Sequence, residues 1–361
     1  MGIRTRSFAN NILSGGVFDA TDLDGALPSS NIDDTSVTNI TAVPALTSTT
    51  TVASDPPAPD AGQIWYNTTD RVLRGYILSA ASWATGGNMN TARSAIAGAG
   101  TQTAGLATGG ETPVAGTNAT EEYDGAAWTT GGNLAVSRYA LAGAGTQTAG
   151  LAFTGYISTP PANSNSTEEY DGAAWTGGGN VATARRFLAG CGTQTAGLAF
   201  GGFDTANSNS TEEYDGAAWT GGGNMATARV YVVGAGIQTS ALVFGGYTTT
   251  AVASTEEYNG TSWTAGGNLN TARYALGGAG TSETSGLAFG GNIPPVTGAT
   301  ELYDGTSWTS SPVSMGTGRN EGGSLGTQAA ALFFGGFAPT RTTATEEWTN
   351  AALVTTTLGA S

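Results

Sequence analysis

The chain has 361 residues, of which 39% are hydrophobic, 11% charged and 57 glycine. This composition is globular and turn-rich but poor in Leu, Lys and Glu, so an all-β fold is expected and a helical one excluded. Twelve arginines, no lysine and 27 acidic residues give a formal charge of −15, which repels phosphate backbones and anionic membrane surfaces and excludes nucleic acid as a partner.

Residues 1–61 come first. They contain no apolar run of signal-peptide length, and Gly2 is followed by Arg6 where a myristoylation signal would want Ser or Thr. Nor does any later stretch reach the roughly 18 consecutive apolar residues of a membrane span, so no membrane insertion is expected. The segment is rich in Thr, Ser, Ala, Asn and Asp and ends in the linker SDPPAPDAG. It has too little apolar content to bury a core alone. The Val, Ile and Leu of IDDTSVTNITAVPAL suit a thin stem packed against copies of itself or other subunits, so it reads as an attachment segment and the chain as a homo-oligomer.

From residue 62 the chain carries the main domain, 62–361. Tyr76, Tyr123, Tyr170, Tyr214, Tyr258, Tyr303 and Trp348 recur at 44 to 47 residues, as do Trp83, Trp128, Trp175, Trp219, Trp263 and Trp308. Such a period without a helical pattern predicts a β-propeller, one four-stranded blade per repeat. Within a repeat the strands are a (RYALAGAG from Arg138), b (TAGLAF from Thr148), c (TEEYD from Thr167) and d around Trp175. GTQT turns join a to b, and DGAA or DGTS turns join c to d. Residues 62–83 read as two or three further strands. Seven blades are therefore favoured, with 62–83 supplying outer strands and the tail ALVTTTLGAS closing the ring; the alternative is six blades and an appended hairpin.

Two sets of residues stand out. Arg93, Arg138, Arg185, Arg229, Arg273 and Arg319 each open strand a, and Glu121, Glu168, Glu212, Glu256, Glu301 and Glu346 each follow the first Thr of strand c. Between them strand b ends in a glycine pair, replaced once by Thr154-Gly155. The three are expected to form one structural device in which Arg reaches Glu past a side-chain-free strand end. The b–c loops, by contrast, are rewritten in every copy: ETPVAGTNA, YISTPPANSNS, FDTANSNS, YTTTAVAS, NIPPVTGA and FAPTRTTA. Strand alternation puts them on one rim, and Tyr156, Phe203, Tyr247 and Phe337 are candidates for stacking on sugars or anchoring a protein.

No enzyme is expected. The chain has no histidine, which removes the usual zinc, copper and Ser-His or Cys-His sites, and no cofactor or metal is implied. The acidic pairs, such as Glu168-Glu169, point to opposite faces of their strand and recur in nearly every copy, unlike a catalytic acid. Cys191 fills a slot held by Ala99, Ala144, Ala235 and Ala279 in sister copies and reads as a packing residue.

The glycine pairs Gly109-Gly110, Gly201-Gly202, Gly245-Gly246, Gly290-Gly291 and Gly335-Gly336, each followed by a Tyr or Trp on strand c, resemble the kelch repeat over roughly residues 90 to 350. That resemblance implies a propeller and says nothing of activity. The opening MGIRTRSFANNIL and the GTQTAGLAFGG and TEEYDG phrases are similar to appendage proteins of marine tailed bacteriophages. This implies a virion protein assembled in the host cytoplasm, attached through residues 1–61 to other virion proteins, with its loops directed at a host surface glycan or protein. The competing expectation is a purely structural decoration knob.

Overall fold

The computed structural model describes residues 50–57, 59 and 62–357, in which every helix or strand element is a strand. They belong to two compact units, one of which is residues 82–350. There, among the described residues, each of six repeats makes a four-stranded antiparallel sheet. The first consists of Ala97–Thr101 (a), Ala104–Thr108 (b), Thr120–Tyr123 (c) and Trp128–Thr130 (d). The next four occupy 142–177, 189–221, 233–265 and 277–310. The sixth takes a to c from Gly323–Gly326, Ala330–Phe334 and Thr345–Thr349, but its d strand is Ser82–Thr85, with Trp83 paired to Trp348. The arrangement is consistent with a β-propeller.

The inner strands of each stacked sheet are buried on both faces, so they show no in-and-out alternation. Strand b carries wholly buried residues such as Leu198, Ala199 and Phe200, and strand c buries Tyr214. Each such side chain contributes about 2 kcal/mol. Strand a instead alternates glycine, because neighbouring a strands approach closely: a Cβ on Gly143 would lie 2.8 Å from the Gly98 carbonyl oxygen. Successive a strands pack against one another in a cycle that returns from the sixth to the first.

Three side-chain bonds recur at the seams between sheets. Each d-strand Trp donates its indole N–H to a c-strand Thr of the preceding sheet, as Trp175 does to Thr120 (2.9 Å) and Trp83 to Thr300 (2.9 Å). Each a–b turn Gln donates to two carbonyls of the preceding sheet, as Gln194 does to Gly150 (3.0 Å) and Tyr170 (2.7 Å). The second Glu of each acidic pair accepts the phenol of the next sheet's Tyr: Tyr170 to Glu122, Tyr214 to Glu169 and Tyr303 to Glu257, all at 2.5 Å, with Tyr258 to Glu213 and Tyr123 to Glu347 alike. At the fifth-to-sixth seam Leu302 replaces the Glu, and there Trp348 replaces the Tyr, donating to the Gln328 carbonyl instead (3.0 Å).

Residues 62–81 and 352–357 do not supply a seventh sheet of the repeat. They belong to the other unit, where Thr50–Val52, Ile64–Asn67, Val72–Ser79 and Ala352–Thr357 form their own four-stranded sheet. Its first pair is parallel, unlike any pair in the repeats. Asp55 organises it by accepting from the indole of Trp65 (3.0 Å) and the amide of Asn67 (2.9 Å) and pairing with Arg74. Part of the expected attachment segment, residues 50–57, is thus built into this sheet; the call on residues 1–49 lies outside the described residues.

Burial, and then the bond to the facing Glu, push the phenols of Tyr123, Tyr170, Tyr214, Tyr258 and Tyr303 up to about 12 from 10.0. Their folded values exceed the unfolded one, so the stability they contribute is complete below pH 10 and is lost as pH rises from there toward 12. Urea midpoints are expected to fall across that interval. The combined Tyr170→Phe, Tyr214→Phe and Tyr258→Phe variant should show a shallower fall, and an equally steep one would mean other groups govern alkaline unfolding.

Candidate functional site

Every repeat arginine finds the first glutamate of its own sheet. Arg93–Glu121, Arg138–Glu168, Arg185–Glu212, Arg229–Glu256, Arg273–Glu301 and Arg319–Glu346 lie at 2.6 to 2.9 Å, with the arginines at most 1% exposed. In the third sheet Arg185 Nη2 donates to Glu212 (2.7 Å), while Nη1 donates to the carbonyls of Gly201 and Ser210 (both 2.9 Å). The other carboxylate oxygen of Glu212 accepts the Ala182 N–H (2.7 Å). Burial lowers the Arg185 pKa and the Glu212 charge opposes this, so the guanidinium stays protonated.

The glycine pair serves this device through its backbone. Gly201 and Gly202 have φ of 70° and 97°, which aims the Gly201 carbonyl at Arg185 and the Gly202 N–H at the Arg229 carbonyl of the next sheet (2.9 Å). A Cβ on Gly202 would sit 2.9 Å from the Arg186 carbonyl. The same N–H bond links every neighbouring pair of sheets and closes with Gly336 to Arg93 (2.9 Å).

The residue after each arginine bridges to the first residue of the b–c loop: Ser94 to Glu111, Tyr139 to Tyr156, Arg186 to Phe203, Val230 to Tyr247, Tyr274 to Asn292 and Asn320 to Phe337. The variable loops and these positions therefore share one rim. Of the four aromatic candidates, Phe337 is 39% exposed, and Tyr156, Phe203 and Tyr247 are half-buried against that neighbouring position. Tyr156 meets Tyr139 edge-on (5.5 Å) and Tyr247 meets Tyr274 (5.2 Å). The Arg186 guanidinium lies over both Tyr156 (4.8 Å) and Phe203 (5.0 Å), and it also donates to Asn163 (3.0 Å). Arg341 pairs with Glu111, joining the sixth loop to the first.

One residue further on, Ala95, Ala140, Phe187, Tyr231, Ala275 and Glu321 all take the left-handed conformation, with φ of 52° to 55°. Each donates its N–H to the carbonyl of the one before, at 2.6 to 3.1 Å, and Ala95 closes the circle onto Glu321. This conformation costs roughly 1 kcal/mol or more per residue outside glycine, and the circular bonds offset it. These six residues rim an axial pocket of about 90 Å³ floored by residues such as Leu188, Val232 and Leu276.

No reacting group converges here. Among the described residues no cluster of three or more His, Cys, Asp or Glu is placed to hold a metal, and Cys191 is buried with its thiol pushed up to about 12 by burial. What the face offers is aromatic surface, one stacked arginine and a partly shielded carboxylate, a set suited to binding. No protein-family model matches the chain, and no curated protein matches it significantly.

Sequence reasoning passed over Tyr139, Arg186, Phe187, Tyr231, Tyr274 and Glu321. The signal was present: the two residues after each repeat arginine read SA, YA, RF, VY, YA and NE, varying inside an otherwise fixed phrase.

Arg185→Ala should cost about 3–5 kcal/mol, because it strands the buried Glu212 carboxylate and two carbonyls. The double variant Arg185→Met with Glu212→Leu should cost much less. Urea denaturation with an unchanged m-value measures both, and equal losses would mean the pair acts by packing alone.

Proposed function

We propose that this protein is a non-enzymatic virion protein of a tailed bacteriophage. In this reading a kelch-like, six-bladed head is attached through residues 1–61 to other virion proteins, forms a homo-oligomer, and binds a host envelope glycan on its variable rim. The observation that carries the reading is the confinement of variation. All six b–c loops, and the variable pair after each repeat arginine, share one face of a frame whose opposite turns are almost constant. Binding loops on a rigid scaffold have this distribution. Aromatic rings with a stacked guanidinium suit neutral or weakly acidic sugars, and the charge of −15 disfavours polyanions. Shallow sites of this kind gain useful affinity from several copies on one particle.

The second reading, a decoration knob without receptor, is favoured by how fully Tyr156, Phe203 and Tyr247 are engaged with their own neighbours. Exchanging residues 203–210 and 247–254 for shuffled polar sequences of equal length separates the two. The exchange should leave the unfolding midpoint nearly unchanged and reduce adsorption of particles to host cells about tenfold or more, as expected for a multivalent contact. Full adsorption with intact fold leaves the structural reading.

A further inference from the structure

The axial pocket is built from the positions that follow the repeat arginines, not from the b–c loops, and its walls are chemically unequal. Around a ring that is otherwise alanine stand Phe187, Tyr231 and Glu321. In the order of the six, Phe187 is third and Glu321 sixth, so Glu321 stands across the ring from Phe187. The Phe187 and Tyr231 rings lie 4.1 Å apart, inclined at 36°, so they stack on each other and form one aromatic wall of the pocket. A pocket of about 90 Å³ beside such a wall suits a compact group better than a planar sugar ring.

The carboxylate is the unexplained member. Glu321 makes no ion pair of its own among the described residues, because the nearby Arg341 is already paired with Glu111, and no basic residue lines the pocket. The groups that act on it are the Glu111 charge, which opposes its ionisation, the Arg341 charge, which favours it, and a hydrogen bond from the Ser94 hydroxyl, which also favours it. Tyr231 stands two places round the ring, its phenol pushed up to about 12 by burial and then by the Glu321 charge. An aromatic wall presents its negative face to a cation, and a partly desolvated carboxylate gains most from one.

We propose that the axial pocket binds a single alkylammonium group, seated between the stacked Phe187–Tyr231 wall and Glu321. The group can arrive as the quaternary head of a choline-bearing molecule or as a primary amine. The strongly negative chain draws either kind to the face.

The test uses the full chain and NMR titration with choline, n-butylammonium and 3,3-dimethyl-1-butanol, the neutral isostere of choline. Saturable binding of a cation in the millimolar range is expected, with the neutral isostere about tenfold weaker or worse. Whichever cation binds tighter identifies the group as quaternary or primary. Glu321→Gln, checked for an unchanged unfolding midpoint, should weaken the cation about tenfold and leave the isostere as it was. Burial first, and then Glu111, raise the Glu321 carboxyl above its ordinary range. Cation binding should therefore weaken as pH falls through that raised value, since protonation removes the charge, and the Gln variant should lose this dependence. Equal binding of isostere and cation, no saturable binding by either cation, or a Glu321→Gln variant that binds as wild type would each overturn the proposal. None of these outcomes bears on adsorption through the b–c loops.

Discussion

The buried Arg–Glu pair is the interaction on which the frame rests. A guanidinium and a carboxylate withdrawn from water are costly unless every remaining hydrogen-bonding position is filled. In each sheet two Nη donors and two carboxylate oxygens are satisfied, at the sole expense of an unpartnered Nε. In five sheets the carbonyl just past strand b points at the arginine, and in the sixth Arg319 takes the Phe333 carbonyl instead. The turn that aims it takes a left-handed pair, Gly-Gly in five sheets and Thr154-Gly155 in one, and the second N–H of that pair fastens the next sheet. One desolvated charge pair thus sets strand length, loop departure and the spacing between sheets.

Much of this was legible in the chain. The recurrence of Arg, Gly-Gly and Glu in the same order in each repeat carries the device, and the aromatic rhythm carries the repeat. The rhythm misled at its first beat: Trp83 does sit in the ring, as the last strand of the sixth sheet, whereas Tyr76 belongs to a sheet of different pairing. A Tyr or Trp followed by a turn reads alike in both settings, and only the partner strand tells them apart. The GTQT turns were read as tight reversals, yet their Gln side chains bind across seams, which a local pattern does not reveal. The left-handed circle was hidden for a related reason. Ala, Phe, Tyr and Glu announce no positive φ, and the conformation is imposed by the hydrogen bonds around the axis rather than by the residues that adopt it.

The same constraint explains why the variable residues assemble where they do. The arginine is fixed, but the two residues after it lead the chain over the rim before strand a begins, and the b–c loop starts beside them. Side chains at these positions answer to one another more than to the core, so Arg186 stacks between Tyr156 and Phe203 while the arginine before it stays identical in all six copies. Rigidity below and freedom above arise from adjacent residues of one segment.

The paired exchange of Leu302 and Trp348 bears on how such a chain changes in number of repeats. Copies one to four each present a tyrosine backward and a glutamate forward, so any of them could be duplicated or dropped and its flanking copies would still find matching partners. The fifth and sixth are keyed to each other and must be inherited together. Gain or loss of copies by recombination between near-identical segments is therefore free, as far as these contacts go, in the first two-thirds of the ring and locked in the last third.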